Sequence, residues 1–193
     1  ALTGGSDMDG DTIPDIAVSS ITTIVAAETV GSVWMLPGDH ILGSPVIPIR
    51  DDVAPTTVHP FAPVNANANY RLNGETAAGN FGATLRMIPD ASGPGIAGLA
   101  IGAPRYRYSD RPLTGAVMLH RFNQAGSTLN PRGINVQPFV AVTGETNRSG
   151  GRMGSAISTG RIAGKRVVVV GAEQGSGNGV DQGAVYVISP DSL

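Results

Sequence analysis

Residues 98–120 read GLAIGAPRYRYSDRPLTGAVMLH, and this stretch decides the fold because its parts recur. A closing strand occurs three times: GSVWML at 31–36, GAVMLH at 115–120 and GAVYVI at 183–188. An apolar strand precedes each copy: DIAVSS at 15–20, GLAIGAP at 98–104 and VVVVGAE at 167–173. An opening segment occurs twice, NGETAAGNFGATL at 73–85 and TGETNRSGGRMGSAI at 143–157. The order never changes. Gly74 and Gly115 lie 41 residues apart, and Gly144 and Gly183 lie 39 apart. Between units the spacing is 43 from Gly31 to Gly74 and 29 from Gly115 to Gly144. The extra 14 residues fall within 37–70, a stretch rich in Pro, Asn and Ala. A fixed order at near-fixed spacing marks a repeat architecture, whose units stack because none can bury both faces alone.

The units run over about 1–50, 71–125 and 141–193, with 51–70 a loop-rich excursion. The chain has 27 glycines and 14 prolines, and no window sustains an apolar period of 3.6. This predicts an all-β fold with almost no helix. A strand-only unit of this size suits a propeller blade better than a solenoid coil, so the expected architecture is a β-propeller with about three blades present.

The second decisive stretch is SDMDGDTIPDIAVSS, residues 6–20. Asp7, Asp9, Asp11 and Asp15 stand at positions one, three, five and nine of a loop, with the Ile13 carbonyl at seven. Carboxylates this dense repel one another unless a cation lies among them. A hard divalent ion takes six to eight oxygens at about 2.3–2.6 Å, which alternating aspartates on a tight turn supply. An EF-hand would need Gly at six and Glu at twelve, where Thr12 and Val18 stand. The expectation is a Ca²⁺ loop running into a strand, with ligands from Asp7, Asp9, Asp11, Ile13 and Asp15.

These residues carry a family resemblance. Phe81-Gly82, an apolar strand, Gly102-Ala103-Pro104 and then Gly115-Ala116-Val117 resemble the FG-GAP repeat of integrin α subunits and many bacterial surface proteins. The resemblance implies a calcium-binding β-propeller outside the cell, on its surface or secreted. In that family a DxDxDGxxD loop between two strands binds calcium. The first unit matches it at Asp7, Asp9, Asp11 and Asp15, with Thr12 where the family usually has Gly. The second unit has IPDASGPGIAG there and the third STGRIAGKR, neither able to coordinate calcium in this way. The third unit also reads Met153-Gly154 for FG and Gly171-Ala172-Glu173 for GAP.

Other chemistry is weaker. VVVVGAEQGSGNG, 167–179, imitates a dinucleotide fingerprint, but Val180 stands where its third glycine belongs and a strand follows. His40, His59 and His120 lie in unlike contexts, and no G-x-S-x-G elbow exists. Glu75 and Glu145 recur in equivalent Gly-Glu-Thr segments, which favours a structural role over acid catalysis. Trp34, Tyr70, Phe81, Tyr106 and Tyr108 could form a sugar-binding face, but such residues more often pack cores. Asn147-Arg148-Ser149 is a glycosylation sequon.

Hydrophobic residues make up 41% and charged residues 15%, enough apolar surface for a core. Cysteine is absent, which excludes disulfides and thiolate catalysis. No apolar run approaches the ~18 residues of a membrane span. Residues 1–100 carry ten acids and three arginines, and residues 101–193 carry five acids and ten basic groups. The arginines of that second half are scattered among Gly and Pro without aromatic interleaving, which argues against nucleic acid.

The expected role is adhesion, protein–protein interaction or surface assembly through the propeller loops, with a protein or glycan ligand and no catalytic centre. A propeller domain of a secreted carbohydrate-active hydrolase or lyase, or a lectin, is the alternative. The start at Ala1 fits a processed protein or an excerpt. The first unit enters at the calcium loop with no Phe-Gly strand before it, and no outer strand follows GAVYVI. Both ends should then present strand edges. The remainder of a longer propeller would cover them, the favoured arrangement, or separate chains would complete one another through a salt-sensitive meeting of acidic and basic halves.

Overall fold

A computed structural model describes residues 1–25, 27–36, 38, 71–74, 79–109, 113–122, 140–144, 150–174 and 182–192. The elements it defines are strands, apart from one 3-10 turn at Pro190–Ser192. They form three antiparallel sheets of three or four strands and one two-stranded ribbon.

Sheet one contains β1 (Leu2–Ser6), β2 (Asp15–Ser20), β5 (Ser32–Leu36) and β6 (Arg71–Asn73), in that order across the sheet. The ribbon of β3 (Ile24–Val25) and β4 (Glu28–Thr29) lies between β2 and β5 in the chain. Sheet two is a meander of β7 (Thr84–Gly93), β8 (Ile96–Ala103), β9 (Ala116–His120) and β10 (Val140–Thr143). Sheet three contains β11 (Met153–Ile162), β12 (Lys165–Ala172) and β13 (Ala184–Ile188).

The first sheet departs from expectation. A strand does precede the aspartate loop: β1 pairs with β2, setting Leu2 opposite Val18 and Gly4 opposite Ile16. It lacks Phe-Gly, and its Gly4-Gly5 pair gives it little intrinsic strand preference. Pairing with β2 overrides that. Each opening segment also proves to straddle two sheets. Asn73 ends β6 in sheet one, whereas Thr84 begins β7 in sheet two. Likewise Thr143 ends β10 and Met153 begins β11.

Sheet two lies between the other two, as its burial pattern requires. All eight residues of β8 are buried. Leu99 and Ile101 join Ala17, Val33, Met35, Leu85 and Met87 in a cluster between sheets one and two. Ala100, Val117 and Leu119 join Met153, Ile157, Val168 and Val170 in a second cluster between sheets two and three. Successive residues of a strand point to opposite faces, so β8 and β9 feed both clusters alternately. Each such large side chain contributes about 1.5–3 kcal/mol by leaving water.

The glycine that opens each closing strand sets the approach of the next sheet. Gly31 and Gly115 have φ of 76°. A Cβ on Gly31 would lie 2.4 Å from the Phe81 carbonyl oxygen, and one on Gly115 2.2 Å from the Met153 nitrogen. Only glycine permits both the backbone angle and the contact. Their carbonyls accept from the N–H groups of Gly74 and Gly144, each at 3.0 Å, so the two junctions are built alike.

Candidate metal centre

The aspartate loop connects β1 to β2, so pairing of these strands brings its two ends together. Within it, most backbone N–H groups are met by its own carboxylates. Asp7 Oδ1 accepts from the N–H of Asp9 (3.0 Å) and Gly10 (2.6 Å), and Asp7 Oδ2 accepts from Thr12 (2.8 Å). Asp9 Oδ1 accepts from Asp11 (3.3 Å), and Asp11 Oδ1 from Ile13 (2.8 Å). Asp15 reaches back across the loop: its Oδ2 accepts from the buried Met8 N–H at 2.6 Å and its Oδ1 from Gly38 at 2.8 Å. Local Asx bonds of this kind fix a turn without a ladder.

Gly10 has φ of 90°, and Thr12 has φ of 71°. A β-branched residue rarely adopts that region, at a cost of about 1–3 kcal/mol. The Thr12 N–H donated to Asp7 is what holds it there. The loop therefore closes with threonine at the position of the expected glycine.

The outcome for the five expected ligands is uneven. Asp7, Asp9 and Asp15 each place one carboxylate oxygen within 4.8 Å of the others. Asp9 and Asp15 are buried, while Asp7 is half-buried. Asp11 is not in that group, although it is described; its Oδ1 faces the Ile13 N–H. Ile13 is half-buried in the same loop. Burial pushes the Asp15 carboxyl up to about 6; the Met8 and Gly38 N–H groups oppose this, and the charges of Asp9 and Asp11 add to it. Three carboxylates this close, two of them out of water, favour a bound proton or a bound cation over full ionisation. An oxygen-only donor set of this kind suits a hard ion such as Ca²⁺ or Mg²⁺.

The loop is also tied to sheet two. The Asp7 carbonyl accepts from the Ala97 N–H at 2.7 Å, at the start of β8. The hairpin turn of sheet two, residues 90–95, thus sits beside the loop. It carries one acid, Asp90 (φ 52°), whose Oδ1 accepts from Gly95 N–H at 2.9 Å. Its Oδ2 pairs with the Arg161 guanidinium from sheet three. The Gly95 N–H, and then Arg161, hold this carboxyl below its ordinary value. Arg166 donates to the Asp90 carbonyl and, through Nε at 2.7 Å, to Asp191. IPDASGPGIAG and STGRIAGKR, which lack the aspartates of a calcium loop, instead bind each other through Asp90, Arg161 and Arg166. The signal was the one acid at the second hairpin turn and the two arginines flanking the third.

The other sequence candidates do not converge. Phe81 is buried between sheets one and two, and Tyr106 packs against the same cluster. Trp34 alternates with Val33 and so lies on the opposite face of sheet one, while Tyr108 is exposed. These four therefore do not make one aromatic face. His120 is buried opposite Leu99 at the end of β9. His40, His59, Tyr70, Glu75, Glu145 and the sequon at Asn147 lie outside the described residues. Among the described residues no helix is long and apolar enough to cross a membrane. No family model matches the chain, and no curated protein matches it.

Proposed function

We propose that this chain is a calcium-binding β-propeller segment of the FG-GAP kind, acting outside the cell in adhesion, protein–protein interaction or assembly. The observation that carries the reading is the meeting of Asp7, Asp9 and Asp15 within 4.8 Å at the β1–β2 turn. The stacking of antiparallel sheets with alternating two-sided burial supports the propeller. Calcium would be held by these three carboxylates, with Asp11 and the Ile13 carbonyl completing the set as in the family's loop. The role assigned to the ion is structural: it would fix the loop against sheet two, to which the Asp7 carbonyl is already bonded. Extracellular calcium at about 1 mM fills even sites of the 10⁻⁴–10⁻³ M class. Ligands, protein or glycan, would be met by the loops.

Thermal melts test this. An ion that binds only the folded state stabilises it by RT ln(1 + [L]/Kd), about 2.7 kcal/mol at a hundredfold excess over Kd. The melting temperature should therefore rise in calcium relative to chelator, and Asp9→Ala should remove the rise. Equal melting temperatures in calcium and chelator would sink the assignment.

A further inference from the structure

Three copies of one strand allow a position-by-position comparison. Val33 in β5, Val117 in β9 and Val185 in β13 share a register position, opposite Ser19, Gly102 and Gly171. Met35, Leu119 and Val187 share the next position on that face, opposite Ala17, Ala100 and Val169. In sheet one this pair is buried against sheet two, and in sheet two it is buried against sheet three. In sheet three Val185 is 71% exposed and Val187 61%. The opening glycine agrees. Gly31 and Gly115 are pressed against backbone of the next sheet, whereas a Cβ on Gly183 would meet nothing nearer than 3.4 Å, the Glu173 carbonyl of its own unit.

Sheet one has the complementary deficit. Leu2 in β1, Leu85 in β7 and Ile157 in β11 share a position opposite Val18, Ile101 and Val170. Leu85 and Ile157 are buried against the preceding sheet, but Leu2 is 66% exposed. Beside it Ile16 and Val18 are half-buried, where their counterparts Leu99 and Ile101 are wholly buried. The chain thus bares both halves of a contact that it makes twice internally.

We propose that the Val169, Val185 and Val187 face of sheet three receives the Leu2, Ile16 and Val18 face of sheet one from a second copy of this chain. The contact repeats, head to tail, the one that joins sheet one to two and two to three. It does not depend on the metal, and goes beyond the function proposed above. Leu2, Val185 and Val187 are exposed and Ile16, Val18 and Val169 beside them half-buried, and exposed apolar surface of this kind marks an interaction site. A head-to-tail contact either closes into a ring or runs on. Because the two faces are apolar, added salt should not dissolve the assembly, unlike a pairing of acidic and basic halves.

The test is sedimentation equilibrium of the whole chain over a range of concentrations, at 0.15 and 1 M NaCl. The expected mass is at least twice the 19.6 kDa of one chain, at both salt concentrations. Val187→Glu and Leu2→Glu should each give monomer while keeping the cooperative melt, since both side chains face solvent in the single chain. Mixing the two variants leaves one intact contact and should restore a dimer. A discrete double mass or a concentration-dependent ladder both support the contact, as a closed ring or an open run. A monomeric wild type at tens of micromolar would overturn the proposal. So would assembly that survives Leu2→Glu, which would mean that the valine face pairs with itself.

Discussion

The β1–β2 loop and the β7–β8 turn occupy the same place in adjacent sheets and solve the same electrostatic problem differently. The first gathers one carboxylate oxygen each from Asp7, Asp9 and Asp15 within 4.8 Å of one another. The second presents Asp90 alone and answers it with Arg161 from the neighbouring sheet. On the reading proposed above, the first is held by a charge from solution, whereas the second is held by one from its own chain. The first device would then work only where the ion is supplied, and the second works anywhere but is screened by salt. In physical terms the difference is depth: Asp9 and Asp15 are buried, whereas the Asp90 and Arg161 side chains are 40% and 47% exposed.

The strongest attack on this contrast is Asp15→Ala. It removes a carboxylate of the cluster and strands the buried Met8 N–H, whose desolvation alone costs about 1–3 kcal/mol. In calcium the total loss should be about 3 kcal/mol or more, read from denaturant unfolding. A loss under 1 kcal/mol would mean that Asp15 holds neither the ion nor the loop.

Acid should separate the two devices next. The Asp15 carboxyl stands at about 6 in the folded chain without metal, above its ordinary value. The folded state then binds the extra proton, so in chelator this group's contribution is fully present below about pH 4 and lost as pH rises through 6. A cation needs the ionised form, so the calcium-induced rise in melting temperature should be largest above pH 7 and shrink below 6. A calcium effect that stays constant from pH 5 to 8 would contradict a buried carboxylate ligand. Asp90 behaves in the opposite sense. Its lowered pKa contributes stability above the ordinary carboxylate range that disappears as pH falls through it.

Arg161→Ala, which breaks the pair and leaves the Asp90–Gly95 turn bond in place, should cost at most about 1 kcal/mol, as exposed pairs do. The cost should fall in high salt and leave the calcium response intact. Undiminished cost in 1 M salt would show that the Arg161 contact is not electrostatic in origin. The smallest change is Thr12→Gly. Relieving a threonine at φ 71° should stabilise the metal-free loop by up to about 1 kcal/mol, since glycine adopts that angle freely. A destabilised variant would indicate that the threonine side chain makes a contact worth more than the strain.

Much of this contrast was legible in the residues, and the rest was hidden for definite reasons. The apolar strands and their closing partners were legible because β2, β8 and β12 pair with β5, β9 and β13 in matching register. The outer strands β6 and β10 were not, since three or four residues at a sheet edge carry too little pattern. β1 was hidden by Gly4 and Gly5, whose strand state is imposed by β2. Three of the four carboxylates gather as the alternation of aspartates suggested. Asp11 is not in that group, because alternation along the chain fixes spacing but not where each carboxylate ends up in a curved loop. The Asp90–Arg161 pair spans 71 residues, a contact that only the stacking of sheets creates.

The central claim is that the β1–β2 loop takes a calcium ion that the β7–β8 turn does not need. Isothermal titration of calcium into the metal-free chain at pH 7.4 measures this directly. One ion per chain is expected, with Kd at or below about 1 mM, lost in Asp9→Ala and retained in Asp90→Ala. Absence of saturable binding, or equal binding by Asp9→Ala, would contradict it.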